Sequence, residues 1–204
     1  HMQHSIRDPN RDKSHGRIWK ITNKNKPLLD PPVIAGASIA DLLELLKAPE
    51  LRTRYNTRRE LRDRPQADVI PALDAWVAKL NAKDEGYEHN LLEALWVKQH
   101  HNAVDADLLG KLLNAEDPRA RAAATRVLCY WRDQVNEPLA LLQARVNDEH
   151  PRVRLEAVRA LSFFNSQQAY DIAVESLLYD QDDYLEYVLK ETLDTLEKRI
   201  ARQQ

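Results

Sequence analysis

The sequence predicts an all-α protein, an α-α superhelix of about five stacked helix pairs, preceded by an extended segment carrying one short strand. Three observations carry this. Only 4 of the 204 residues are glycine, so few turns requiring positive φ can form, which argues against an all-β fold. Charged residues make up 30% and hydrophobic ones 43%, a balance that suits amphipathic helices rather than disorder. From about Ser38 onward apolar residues recur with helical spacing, and the pattern repeats at intervals of 32 to 35 residues.

Two divisions are expected, residues 1–36 and 37–204. The first holds Pro9, Pro27, Pro31, Pro32, Gly16 and Gly36. Asp8-Pro9-Asn10 is turn chemistry, and Leu28 to Pro32 reads as an extended linker. The run Gly16-Arg17-Ile18-Trp19-Lys20-Ile21-Thr22 is the one convincing strand. A solitary strand leaves its backbone groups unpaired unless another domain or chain supplies a partner. Trp19 is therefore expected to pack on whatever that strand joins.

Helices follow in order. Ser38 caps an amphipathic turn through Leu46. Pro49 ends it and opens a second helix to about Arg64. Val69 to Asn81 places Leu73, Trp76, Val77 and Leu80 on one face. Further helices are expected at about Tyr87–His101, Asp105–Ala115, Pro118–Gln134, Pro138–Asn147, Pro151–Asn165, Gln167–Tyr179 and Asp182–Arg202. That makes ten helices with short connections.

Self-comparison shows the repeat. Asp117-Pro118-Arg119-Ala120-Arg121 aligns with His150-Pro151-Arg152-Val153-Arg154 at a shift of 33 residues. The shared frame has a small or β-branched residue, then Arg, an Ala three later and a Leu four beyond. It reads Ala120-Arg121, Ala124, Leu128 and Val153-Arg154, Ala157, Leu161. Thr53-Arg54, Thr57, Leu61 is a looser copy. Degenerate copies fall at Glu88-His89, Leu92, Trp96 and at Leu185-Glu186, Leu189, Leu193. This pattern resembles HEAT repeats over about residues 37–202. In such arrays no helix pair buries its apolar face alone, and stacking creates one continuous core. Small Ala124 and Ala157 permit close approach, and Pro118 and Pro151 suit a first helical turn. Arg121 and Arg154 are expected to bridge to acids such as Asp117 and Asp148. Arg54, Arg58, Arg121 and Arg154 are the candidate interaction surface.

Charge is uneven. Residues 1–66 carry a net +6, residues 67–161 a net −3 and residues 162–204 a net −5, within an overall formal charge of −2. The near-zero balance excludes a general polyanion binder, which needs a strong local cationic excess.

Catalytic chemistry is hard to find. The sequence has no glycine-rich phosphate loop and no Gly-x-Ser-x-Gly elbow. His100 and His101 are adjacent, so on a helix they cannot share a metal face. His89 and His100 could share a face, but three turns separate them. Cys129, the only cysteine, lies among Val127, Leu128, Tyr130 and Trp131 and reads as a buried, inert thiol. It excludes an internal disulfide and any cysteine-rich metal site. Trp76, Trp96 and Trp131 read as core. His1, His4 and His15 sit among Arg7, Asp8, Arg11 and Asp12, an unusual density of polar groups; His1-Met2 reads either as native or as a cloning remnant. No catalytic, cofactor-binding or metal residue is assigned, and no cofactor is expected. No apolar run is long enough to span a membrane, and the polar start His1-Met2-Gln3-His4 is not a secretory leader.

The run Met2-Gln3-His4-Ser5-Ile6-Arg7-Asp8-Pro9-Asn10-Arg11-Asp12, followed by His15-Gly16-Arg17-Ile18-Trp19-Lys20-Ile21-Thr22, resembles a junction in the large membrane-bound dehydrogenase-like proteins of Planctomycetes, Verrucomicrobia and related bacteria. In that family a β-propeller similar to sugar and sorbosone dehydrogenases precedes HEAT repeats, and a c-type cytochrome domain often follows. The resemblance implies that residues 1–36 are the end of such a propeller and its linker. It also implies that catalytic residues lie upstream and that any cytochrome lies elsewhere, since Cys129-Tyr130-Trp131-Arg132 is not a haem motif. The implied role is a non-enzymatic interaction or spacer module. Its partners would be a protein or a neighbouring domain, the propeller or a cytochrome c, with no nucleic acid and no membrane span. The implied location is periplasmic or exported, with a cytoplasmic one left open. The alternative is a HEAT-like DNA-binding or DNA-repair glycosylase-type enzyme, for which Arg52, Arg54, Arg58, Arg59, Arg62 and Arg64 would supply phosphate contacts. A third reading is a lyase-like or adaptor protein handling a protein-bound chromophore.

Overall fold

A computed structural model describes residues 9, 12, 14–16, 18–28 and 30–202. The chain falls into two units, His1–Pro32 and Val33–Gln204.

The described part of the first unit has no helix and no strand. The Asp12 carboxylate accepts hydrogen bonds from the backbone N–H groups of Ser14 (3.0 Å) and His15 (3.1 Å), closing a local turn. Pro9 also lies in a turn, while Asp8, Asn10, Arg17, His1 and His4 fall outside the described residues. The strand expected over residues 16–22 is not present among the described residues of that range, 16 and 18–22. Ile18, Trp19 and Ile21 are 102%, 80% and 96% exposed. The reason is physical: a single strand has no ladder of its own, and extended backbone without a partner stays hydrated.

The second unit is helical: α1 (Ile39–Leu45), α2 (Leu51–Arg62), α3 (Gln66–Val77), α4 (Tyr87–His100), α5 (Ala106–Leu113), α6 (Pro118–Trp131), α7 (Pro138–Val146), α8 (Pro151–Leu161), α9 (Gln167–Val174) and α10 (Asp183–Ala201), with a 3₁₀ turn at Glu175–Leu178 after α9. Each odd-numbered helix packs on the even-numbered helix that follows it, and α2, α4, α6, α8 and α10 pack in succession. The result is five helix pairs in two layers, an α-α solenoid. One apolar cluster runs unbroken from Leu42 to Leu196 between the layers. Among the described residues no helix is long and apolar enough to cross a membrane.

Local chemistry sets the helix ends. The side chains of Ser38, Asp105, Asp117, Ser166 and Asp182 each accept a backbone N–H in the first turn of the helix they precede, satisfying donors that no carbonyl can reach. His150 does the same through its ring nitrogen. Pro118, Pro138 and Pro151 each occupy the first turn. After α4, Asn102 takes φ 51; its N–H bonds to Gln99 O and the Ala103 N–H to Lys98 O. This is a Schellman closure with asparagine in the left-handed position. Ahead of α1, Gly36 has φ 76 in a turn closed by Ala37 N–H to Ile34 O at 3.1 Å. The Glu60 carboxylate, held by Arg64 at 2.7 Å, accepts the Gly36 N–H.

Trp76 and Trp131 are buried as expected, but Trp96 is only partly buried and faces a groove. The cause is a one-residue offset. Arg54, Arg121, Arg154 and Glu186 are each the fourth residue of their helix, whereas in α4 the fourth residue is Asn90, not His89. The core positions three and seven beyond are then Glu93 and Val97, both fully buried. Trp96 is thereby turned out of the interior.

Candidate functional site

The clearest device in the array is a set of equivalent arginines. Arg54 Nη1 donates to Ala48 O (2.6 Å) and Pro49 O (2.8 Å). Arg121 Nη1 donates to Ala115 O (2.9 Å) and Glu116 O (3.0 Å). Arg154 Nη1 donates to Asp148 O (3.0 Å) and Glu149 O (2.9 Å). In each case one guanidinium nitrogen closes the connection between the two helices of its pair, using carbonyls five and six residues back. At least one other nitrogen of each reaches the next pair. Arg54 Nε meets Glu93 Oε1 at 3.0 Å. Arg121 grips Asp148 with two bonds, Nε to Oδ2 at 2.8 Å and Nη2 to Oδ1 at 2.9 Å. Arg154 Nη2 donates to Asp180 O at 2.9 Å. A planar fork with five donors suits this bridging as lysine could not.

Arg121 and Arg154 are 7% and 4% exposed. The Arg121–Asp148 bridge forms as expected, whereas Asp117 pairs with Arg119 and Arg154 meets Asp148 through its backbone carbonyl. Burial opposes the Asp148 charge, yet the Arg121 bonds, the His150 N–H and Arg145 hold its carboxyl below the usual carboxylate range. Arg54 and Arg58 converge on Glu93, a carboxylate with no exposed surface. His89 Nε2 lies 3.4 Å from Glu93 Oε1, and the Arg58 guanidinium stacks 4.8 Å above the Trp96 ring. All four candidate arginines therefore spend their guanidiniums largely inside the chain.

The broader basic patch over α2 and the turn that follows it lies nearer the surface and is partly paired there. Arg62 pairs with Asp63 and Arg64 with Glu60, and Arg59 lies over Tyr55. Arg52 and Arg59 are the exposed arginines of α2 without an ion-pair partner among the described residues, fewer free cations than a phosphate-binding surface gathers in one place.

The surface that does converge is a groove of about 640 Å³ along α4, α6 and α8, lined by Trp96, Gln99, His100, Arg119, Ala122, Ala123, Arg126, Val127, Tyr130, Arg152 and Glu156. Its floor is small and apolar (Ala122, Ala123, Val127) and its walls are aromatic and cationic. Arg119 is held by Asp117 at 2.7 Å and Arg152 by Glu156 at 2.8 Å. Arg126 is exposed, with no ion-pair or hydrogen-bond partner among the described residues. Burial, followed by the nearby charges of Arg58 and Arg62, pushes the His100 imidazole below its ordinary pKa, so it favours the neutral form. Beyond Trp96 and Arg119 a second depression of about 720 Å³ opens, walled by Asp84, Glu85, Glu88, Glu116 and Asp117. The groove thus changes sign from basic to acidic across Trp96.

The sequence singles out the inward arginines and, of the outward ones, only Arg52 and Arg59; Arg119, Arg126, Arg152 and Arg159 are not among its candidates. A second register carried the signal: Arg52, Arg119 and Arg152 stand two residues before the three ladder arginines, and Arg59, Arg126 and Arg159 five after. Tyr130 and Phe163 stand nine after Arg121 and Arg154.

Cys129 is buried and unpaired, and burial raises its thiol pKa. A protonated thiol of this kind is a poor nucleophile. Among the described residues no group of three His, Cys, Asp or Glu side chains could hold a metal ion.

Residues 106–194, from α5 into α10, match the family model described as HEAT repeats. This stretch is a HEAT-repeat region. It holds the two best copies of the arginine frame and the Arg121–Asp148 bridge between them. No curated protein matches the sequence.

Proposed function

We propose that this chain is a non-catalytic HEAT-repeat spacer and interaction module of a larger dehydrogenase-like protein. The HEAT-repeat region supports a protein-interaction or scaffold role. The observation that carries the finer reading is the strongly exposed apolar group Ile18, Trp19 and Ile21, N-terminal in sequence to a well-packed array. Large apolar residues with strand-forming propensity, left in water, suit a segment that completes a sheet elsewhere. In this reading residues 1–36 are the last strand and linker of a β-propeller, and residues 37–204 hold the propeller at a set distance from a following domain, such as a cytochrome c, or present their groove to a partner. By the family resemblance of residues 2–22, the parent protein is periplasmic or otherwise exported in this reading.

The solenoid's materials fit a rigid spacer. Largely buried guanidiniums tie the first pair to the second, the third to the fourth and the fourth to the fifth, and the Glu88 carboxylate, accepting the Glu116 and Asp117 N–H groups, ties the second to the third, so the pairs cannot slide without breaking charge-assisted bonds. The purified chain supplied with aldose sugars, pyrroloquinoline quinone and an electron-accepting dye is expected to show no turnover. Turnover by this chain alone contradicts the reading, as does an upstream coding sequence that encodes no propeller.

A further inference from the structure

The groove along α4, α6 and α8 is unused by the spacer role, and its chemistry is specific enough to name an occupant. Its floor at Ala122, Ala123 and Val127 has no side chain large enough to fill it. Two aromatic walls, Trp96 and Tyr130, flank that floor, and Tyr130 is 55% exposed. Three guanidiniums line it. Those of Arg119 and Arg152 have carboxylate partners but remain on the exposed rim, and that of Arg126 has no partner among the described residues. Farther along α8, Arg159 donates to Glu156 from Nε and lies over the Phe163 ring, while its Nη2 is buried without an acceptor. Among the described residues Glu156 is the one carboxylate lining the groove, and Arg152 and Arg159 already clasp it.

We infer that this groove binds an extended acidic peptide segment of a partner protein. Its carboxylates would meet Arg126, Arg152 and the free face of Arg119, and one of its apolar side chains would rest on the alanine floor between Trp96 and Tyr130. Bidentate guanidinium–carboxylate pairing gives the orientation, and the aromatic-walled floor gives the apolar anchor. The acidic depression beyond Trp96 repels such a segment, so the bound stretch ends at Trp96. The inference rests on reading the array as a protein-interaction module, and it names the chemistry of that partner.

Fluorescence polarisation of a labelled peptide of alternating Glu and Leu, with alternating Lys and Leu as the counterpart, tests it. The chain is expected to bind the acidic peptide and not the basic one, more weakly as salt rises. Arg126→Glu is expected to weaken binding about tenfold by exchanging one attraction for a repulsion. Arg126 is exposed and unpaired, so the variant keeps its fold, verified by an unchanged thermal melt. Arg52→Glu, on α2 outside the groove, is expected to leave binding unchanged. No binding at low salt overturns the inference, as does equal binding by Arg126→Glu. Equal competition by a single-stranded oligonucleotide would assign the groove to nucleic acid. A dimeric mass in sedimentation, lost in Arg126→Glu, would assign it to a second copy of the chain. Either also overturns the inference. None of these outcomes bears on residues 18–22, so failure here is separable from failure of the spacer reading.

Discussion

At the scale of single residues, the account turns on arginines that look alike in sequence and do different work. Arg121 is buried, bidentate to Asp148 and bonded to two carbonyls; Arg126, five residues later, is exposed and free of partners among the described residues. Removing the first leaves a buried carboxylate without its main counter-charge. Arg121→Met is expected to destabilise the fold by about 3 kcal/mol, measured by urea unfolding, whereas Arg121→Met with Asp148→Leu should recover much of that loss because no buried charge is stranded. The same pair sets an acid limit. The folded pKa of Asp148 lies below its unfolded value of about 3.9, so its contribution is full above that pH and is lost as pH falls through the folded value. Melting temperatures are therefore expected to drop more steeply below about pH 4 in the native chain than in Asp148→Asn.

At the scale of elements, α6 and α8 pack extensively on one another, and Ala124 and Ala157 on these helices have no exposed surface. Ala157→Leu is expected to cost about 2 kcal/mol by overpacking, read as a lower midpoint in the same urea titration; an unchanged midpoint would mean the two helices are not held at alanine distance. Much of this was legible beforehand. The proline and aspartate signals marked where α6, α7 and α8 begin, and the arginine frame located both strong repeats and the Arg121–Asp148 bridge. What was not legible has identifiable causes. The helix ends expected at Gln134, Asn165 and Tyr179 fall too late, because apolar residues run on past the last helical turn: Val135 and Phe164 still pack on the core, whereas Leu177 and Leu178 stand exposed in the 3₁₀ turn after α9. The α3 start was placed late because Gln66, Ala67 and Asp68 form its first turn without apolar periodicity. Trp96 was assigned to the interior because α4 carries its copy of the frame one residue later, with Glu93 standing where the other repeats have Thr57, Ala124 and Ala157. The strand at residues 16–22 has the right composition, but composition cannot provide a neighbour. The groove residues Arg126 and Arg152 were overlooked because a charged residue on a solvated helix face has no periodic signature until the inward register is known.

At the scale of the whole chain, two statements hold the account together: a repeat array whose pairs are fastened internally, and an apolar segment that belongs against something else. The segmental charges of +6, −3 and −5 are partly absorbed inside the array, since Arg54 and Arg58 neutralise Glu93 and Arg121 neutralises Asp148. The acidic α10 end and the basic stretch of the groove remain as surfaces, and long-range attraction to charged partners falls as salt rises. The central claim is that residues 18–22 complete a sheet outside the array. Amide hydrogen exchange over this segment, measured in the isolated chain and in a longer protein that carries the proposed upstream propeller, tests it most directly. Fast exchange in the isolated chain with strong protection in the longer protein, at unchanged protection of α6 and α8, is the predicted result; equally fast exchange of residues 18–22 in both would contradict it.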